Sequence, residues 1–251
     1  MHEIITSTKN DTVKSARKLQ MKKGRAQAGT MLVEGEKCVY ELMVHRPGDL
    51  RTLFICGERF DDTAAAAEDL GARIVRVAEH VMSAICECKT PQGIAAEAAI
   101  PAYECTDGGM VVALDDVQDP SNLGTIVRTA DAAGASCVVL SQGCADAFAP
   151  KAVRASMGSI FHLPVVSANL PIYISELRNK GYEIAAAHID GNTQYELDWR
   201  KTCLVIGNES RGISDTVADM ATQRIKIPMF GKAESLNAAV AAGILIYKIR
   251  T

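Results

Sequence analysis

The sequence predicts an α/β protein in two parts: a C-terminal α/β module built on a mainly parallel sheet, and a smaller N-terminal α/β module. Three observations carry this. Apolar strand-like runs alternate with helical stretches through most of the chain. The runs of the second part, such as Met110–Leu114 and Cys137–Leu140, are almost continuously apolar, as strands buried on both faces are. Between the parts lies Pro101–Gly109, a polar stretch with Pro at one end and Gly-Gly at the other. The boundaries read as 1–100, a linker at 101–109, and 110–251.

In the first part a helix is expected from Lys14 to about Lys22, an extended piece at Thr30–Val33 and a helix over Glu36–Val44. Leu53–Cys56 reads as a strand, Asp62–Leu70 as a helix, Arg73–Val77 as a strand and Glu79–Cys86 as a short helix. In the second part strands at Met110–Leu114 and Cys137–Leu140 flank a helix over Asn122–Ala133, which Ser121 or Asn122 can cap. Pro150 opens a helix over Lys151–Gly158. Another runs from Leu170 to Lys180, where Gly181 ends it. Glu183–Ala187, Thr202–Ile206 and Arg224–Ile227 read as strands, and Ser235–Ile249 as a final apolar helix.

Composition narrows the function. Of the 251 residues 48% are hydrophobic and 23% charged, so disorder and coiled coil are excluded as global descriptions. The net charge of −3 excludes a protein that binds nucleic acid through bulk charge. The longest apolar run, Ala238–Tyr247, is far short of the roughly 20 residues of a membrane span. Met1–Asn10 holds no apolar signal core, so a cytoplasmic location is expected. Cys38, Cys56, Cys137 and Cys203 sit in apolar runs and are expected as reduced buried thiols. Cys86 and Cys88 form a C-x-C pair with no second pair at zinc-site spacing, so no metal is expected.

Charge is uneven. Residues 1–25 carry +5, leaving −8 for the rest. Lys18, Lys22 and Arg25 are candidates for a phosphate-contacting surface; the plain alternative is a solvated helix face.

Three segments of the second part follow predicted strands, where ligands bind in open α/β sheets. In Ala113–Ala135 a strand breaks into the polar turn Asp119-Pro120-Ser121-Asn122, and Arg128 follows on the helix. In Cys203–Ser214 a strand runs into Gly207-Asn208-Glu209, where Gly admits close backbone approach. In Ile225–Gly243 a strand ends at Ile227-Pro228, and Ser235-Leu236-Asn237 opens a small-residue helix. The sequence lacks a dinucleotide G-x-G-x-x-G, a P-loop, a G-x-S-x-G elbow and H-E-x-x-H. His2, His45, His80, His162 and His188 all fall outside the three segments, which argues against Ser–His catalysis.

These residues carry a resemblance. D-P-x-N-x-G-x-x-x-R-T-A-x-A-x-G (Asp119 to Gly134), I-G-N-E (Ile206 to Glu209) and I-P-M followed by E-S-L-N-A-A-V-A (Ile227 to Ala241) resemble, in order, the three signature motifs of the SpoU–TrmH family. Its members are S-adenosylmethionine-dependent RNA ribose 2′-O-methyltransferases. KKGRAQAGTMLVEGEK (Lys22–Lys37) and KTPQGIAA (Lys89–Ala96) resemble the opening and close of the substrate-binding domain in its ribosomal RNA branch. Ser210-Arg211 stands where many members have Gly after the Glu.

The resemblance implies an α/β-knot fold for the C-terminal part and a homodimer formed through it. It implies S-adenosylmethionine held largely by backbone at Gly207, Ile227 and Leu236, and no metal. Asn122, Arg128, Glu209, Ser235 and Asn237 match the polar active-site positions. Arg128 is the position the family's proposed base occupies, yet arginine keeps its proton, so a positioning role for the hydroxyl and phosphate is the reading here. Glu209 would orient Arg128 or Asn122. The expected substrate is structured RNA, with ribosomal RNA favoured; the alternatives are a transfer RNA 2′-O-methyltransferase and a non-catalytic RNA-binding relative.

Overall fold

The computed structural model describes residues 4–106 and 108–251. Met1, His2, Glu3 and Asp107, which the readings of the N-terminus and the linker include, lie outside them. The chain divides into two compact units: Met1–Ala102 with Asp146–Phe161, and Tyr103–Ala145 with His162–Thr251. Residues 146–161, placed by the sequence reading within 110–251, thus pack with the first unit.

The first unit opens with α1 (Asp11–Lys18) and α2 (Lys22–Ala28), where the sequence suggests one helix. Asn10 caps α1 through Thr12 N–H at 2.9 Å, and Arg17 and Lys18 complement the dipole at its end. The chain then turns so tightly that a Cβ at Gly24 would lie 2.0 Å from the Lys18 carbonyl oxygen. There follow β1 (Thr30–Glu34), α3 (Glu36–His45), β2 (Leu50–Ile55), α4 (Asp61–Asp69), β3 (Arg73–Arg76), α5 (Glu79–Ile85) and β4 (Ile94–Ala99). The sheet order is β1-β4-β2-β3, with β4 antiparallel to both neighbours and β2 parallel to β3. The sequence reading leaves β4 unassigned, because IAAEAA has the composition of a helix; pairing on both edges overrides propensity. Val13, Leu19, Leu32, Phe54, Val81 and Met82 form the core of this unit.

Arg25 corrects an expectation. It does not lie on a phosphate-contacting surface but is 3% exposed. Its guanidinium donates to the Leu19 and Gln20 carbonyls at 2.7 and 3.0 Å and pairs with Asp146 at 2.5 Å. The fold consumes this cation to tie the 146–161 segment to α2. Lys18 and Lys22 are exposed.

The second unit holds β5 (Val111–Asp115), α6 (Pro120–Ala133) and β6 (Cys137–Leu140); α7 (Pro150–Ser156) belongs to the first. The second continues with β7 (Val165–Ser167), α8 (Leu170–Asn179), β8 (Glu183–Asn192), β9 (Thr202–Gly207), α9 (Asp215–Ala218), β10 (Gln223–Ile225) and α10 (Ala238–Arg250). The last strand is thus shorter than expected, and the last helix starts three residues later. The six strands are ordered β10-β8-β9-β5-β6-β7, and every pair is parallel. This is the mainly parallel α/β sheet that the apolar strands predict. Val111, Val139, Ile174, Leu177, Ile184 and Val205 fill its core.

Two local readings change. Asp119 caps α6, accepting from Ser121 N–H at 2.9 Å, so neither Ser121 nor Asn122 is the cap. Cys137 is not a free thiol: it is joined to Cys105, the Cα atoms 5.6 Å apart, within the range a disulfide bridges.

Replacing Arg25 with Ala leaves the half-buried Asp146 without its partner and strips two carbonyls of donors. We expect a loss of about 3–5 kcal/mol in chemical denaturation, against about ±0.5 kcal/mol for Lys18→Ala. Equal effects of the two substitutions would refute the structural role of Arg25.

Candidate active site

Parallel pairing sets Asp115 of β5 opposite Gly207 of β9, so the loops that leave the two strands start side by side. Two further segments join them: the N-terminal turn of α6, and the residues leading into α10. This is the carboxyl edge of the sheet, the expected ligand position.

One chain of hydrogen bonds links the three motif segments. Asn237 caps α10 by accepting from Ala239 and Val240 N–H at 2.9 and 3.3 Å. Its Nδ2 donates to Asn122 Oδ1 at 3.0 Å. Asn122 Nδ2 donates to Glu209 Oε1 at 2.9 Å. Glu209 also accepts from the backbone N–H groups of Gln118 and Asp119 at 3.3 and 3.4 Å. Partial burial works to raise the Glu209 pKa, but the hydrogen bonds from Asn122 and the backbone outweigh it and hold the carboxyl below its ordinary value. Sequence reasoning missed the two backbone donors; the polar turn between Asp116 and Pro120 was the available signal.

The loop after β9 is closed on itself. Asn208 and Gly212 exchange backbone hydrogen bonds at 2.9 and 3.0 Å. Asn208 Oδ1 accepts from Ser210 and Arg211 N–H at 2.9 and 3.0 Å. A Cβ at Gly207 would come within 2.3 Å of Gly212 C and Ile213 N, so the close approach here is to the chain itself. Arg211 pairs with Asp116, a non-glycine residue at φ 61° whose backbone N–H donates to Ser141 Oγ at 2.9 Å. The Ser210-Arg211 departure is thus accommodated: Ser210 closes the turn, and Arg211 braces it against the end of β5. Asp116 was not singled out by the sequence reading.

The structure therefore brings Asn122, Glu209 and Asn237 together and leaves two predicted residues apart. Ser235 is exposed and makes no hydrogen bond to the described residues. Arg128 is exposed on α6, about one and two-thirds turns beyond Asn122 and on another face. It has no hydrogen-bond or ion-pair partner among the described residues. Glu209 thus orients Asn122 and not Arg128.

Between β10 and α10, residues 227–236 form no hydrogen bond with the described residues. Main-chain donors and acceptors are left beside the partly exposed apolar side chains of Ile227, Met229 and Leu236. Such a segment can hold a ligand through main-chain hydrogen bonds and apolar contact. Among the described residues no helix is long and apolar enough to cross a membrane.

Comparison with known proteins finds relatives over the whole chain. Residues 109–247 match the model of the SpoU rRNA Methylase family, and residues 10–96 that of the MRM3-like substrate binding domain. Over 249 residues the chain is 39% identical to the 23S rRNA (guanosine(2553)-2′-O)-methyltransferase RlmP of Bacillus subtilis, with 98% of each covered. The AdoMet-bound rRNA methyltransferase from Sinorhizobium meliloti superposes with a TM-score of 0.85 at 34% identity, over 99% of this chain and 97% of that one. The SpoU methyltransferase AviRb from Streptomyces viridochromogenes, in complex with AdoMet, gives 0.80 at 29% identity, over 96% and 97%.

The Glu209 contribution has a definite sign. A depressed carboxyl pKa adds stability above the carboxyl's unfolded value, and this is lost as pH falls through the folded one. Asn122→Ala removes the largest lowering influence and keeps part of the burial, so the Glu209 pKa should rise. Carboxyl carbon shifts followed against pH by NMR measure this; an unmoved titration would show that Asn122 does not hold Glu209.

Proposed function

The chain belongs to the SpoU rRNA methylase family, and we propose that it methylates a guanosine ribose 2′-hydroxyl in 23S ribosomal RNA. The observation that carries this is the hydrogen-bond chain from Asn237 through Asn122 to Glu209, which joins all three motif segments. Full-length likeness to RlmP supports the substrate.

The residues present fit S-adenosylmethionine. Main chain at Gly207, Ile227 and Leu236, with the unpaired backbone groups of 227–236, would hold it. When bound it supplies an electrophilic methyl group on its sulfonium. The chain's own part is placement. Glu209 is a poor base, because its oxygens already accept from three donors and its carboxyl is held in the charged form. It fixes the Asn122 amide, which with Asn237 keeps the edge of the site rigid. Arg128 is protonated at rest, and the 2′-hydroxyl proton passes to solvent water as that oxygen takes up the methyl group. With no partner among the described residues, Arg128 is available to the attacking 2′-oxygen and an adjacent phosphate, stabilising negative charge as it develops. Ser235, exposed at the same edge, completes the polar cradle.

RNA binding by the first unit rests in this proposal on Lys18 and Lys22; Arg25 drops out. The second unit is proposed to pair with a second copy through α10. Its Val240, Ile244 and Tyr247 are 51%, 42% and 46% exposed and recur at helical spacing on one face. Light scattering that reads a monomer at assay concentration would remove this part. The α/β-knot threading of the segment between Ile225 and Ala238 belongs to the same proposal, and an experimental trace of that main chain tests it.

Single-turnover methyl transfer to 23S RNA, at saturating enzyme, tests the central reading. Wild-type protein should methylate one ribose, and Arg128→Ala should slow the step by about 10²–10⁴-fold. Calorimetric affinity for S-adenosylmethionine should not change, since Arg128 lies away from the backbone cradle. Arg128→Lys should not restore the rate, because an ammonium lacks the planar fork. A wild-type rate in Arg128→Ala ends the catalytic assignment.

Reversing Lys18 and Lys22 to Glu should weaken RNA binding and flatten its salt dependence by about 0.7–0.9 in log–log slope for each phosphate no longer neutralised. An unchanged slope makes this face a solvated surface only.

A further inference from the structure

The C-x-C pair has a third member that spacing along the chain could not reveal. Glu34, at the end of β1, lies beside the turn that follows α5. One ligand atom from each of Glu34, Cys86 and Cys88 falls within 4.8 Å of the other two. The Glu34 side chain is 1% exposed, Cys86 is buried and Cys88 is half-buried. All three line a cavity of about 210 Å³ within the first unit, which Cys38 and Arg154 also border. We propose that this is a binding site for a soft divalent cation of the zinc type, with the Cys86 and Cys88 thiolates and the Glu34 carboxylate as ligands and the fourth position open to the cavity.

The surroundings are organised as such a site requires. The turn folds around the carboxylate: Glu87 N–H donates to Glu34 Oε1 at 2.6 Å and Cys88 N–H to Oε2 at 3.3 Å. Arg154 pairs with the same carboxylate and, at 3.0 Å, with Glu87. These contacts fix the orientation of a ligand from outside, as the outer partners of metal ligands do. A carboxylate has about four lone-pair directions, so holding Arg154 leaves room for a metal bond. Two thiolates and a carboxylate exceed a dication by one negative charge, which Arg154, shared with Glu87, partly offsets. Two thiolates favour zinc-like ions over magnesium or calcium.

Before the cation binds, both thiols carry protons at neutral pH, as thiols ordinarily do. Binding breaks two S–H bonds, forms two metal–sulfur bonds and one metal–oxygen bond, and releases two protons to solvent. Nothing is oxidised. The inference is independent of the methyl-transfer reading.

Cobalt(II), a coloured stand-in for zinc, tests it on the full-length chain kept reduced with a phosphine. Titration should reach one equivalent and produce a thiolate-to-cobalt charge-transfer band with intense tetrahedral visible bands. Zinc should bleach them. Zinc added to weakly buffered protein should release two protons, and affinity should rise with pH. Cys88→Ser, the less buried change, should weaken binding by at least about 10–100-fold, the range that outer partners alone cost. Cys86→Ser should do the same, and Cys56→Ser, outside the cluster, should leave the bands intact. Circular dichroism checks that each variant folds; should Cys86→Ser unfold, Cys88→Ser and the proton count decide. No charge-transfer band in wild-type protein, or a band that survives Cys88→Ser undiminished, overturns the proposal.

Discussion

The site depends on a hydrogen-bond chain whose direction is forced. Glu209, ionised, can only accept. Asn122 must therefore turn its Nδ2 toward the carboxylate, which leaves Oδ1 facing Asn237. Asn237 must then offer Nδ2 and keep Oδ1 for the first N–H groups of α10. The orphan donors of a helix N-terminus are thereby coupled through two amides to a carboxylate. Each amide satisfies one neighbour as donor and the other as acceptor, so replacing either with Asp would set acceptor against acceptor. Such a chain strengthens itself through polarisation, and it suffers more from one wrong link than a pairwise count suggests.

Topology makes the chain possible. An all-parallel sheet sends every strand's end to one edge, and the β9-β5 pairing brings the first two motif loops together. Asp119, as the cap of α6, leaves the Asn122 side chain for other work. Gly207 lets the chain fold back on itself, and the Asp116–Arg211 pair braces that turn from β5. The side chains of Asn122, Glu209 and Asn237 at this edge are thereby fixed in orientation.

Much of this was legible. Near-continuous apolar strands announced the parallel sheet, and the residues of the hydrogen-bond chain stood out as polar groups where strands end. What stayed hidden depends on partners far away in sequence. Arg25 sits in a basic run and reads as surface until Asp146, 121 residues on, is placed beside it. Cys86 and Cys88 lack a zinc pattern until Glu34, at the end of β1, is placed beside them. The Cys105–Cys137 link joins a linker residue to a strand core, which no local pattern shows. Ile94–Ala99 reads against its own composition, since its place between β1 and β2 decides its structure.

The cations divide in a way that bears on function. Arg25, Arg154 and Arg211 are each spent inside the protein on a named carboxylate: Asp146, Glu34 and Asp116. Lys18, Lys22 and Arg128 have no ion pair among the described residues and are exposed. For a lysine on a helix end, exposure is ordinary and says little. Arg128 is different in kind. It stands on a helix whose first turn is locked into the hydrogen-bond chain, yet none of the described residues binds its five donors. A planar fork on a rigid helix, open to solvent, has the geometry to take an anion with two donors at once. The described residues bury and pair Arg25 but leave Arg128 to solvent.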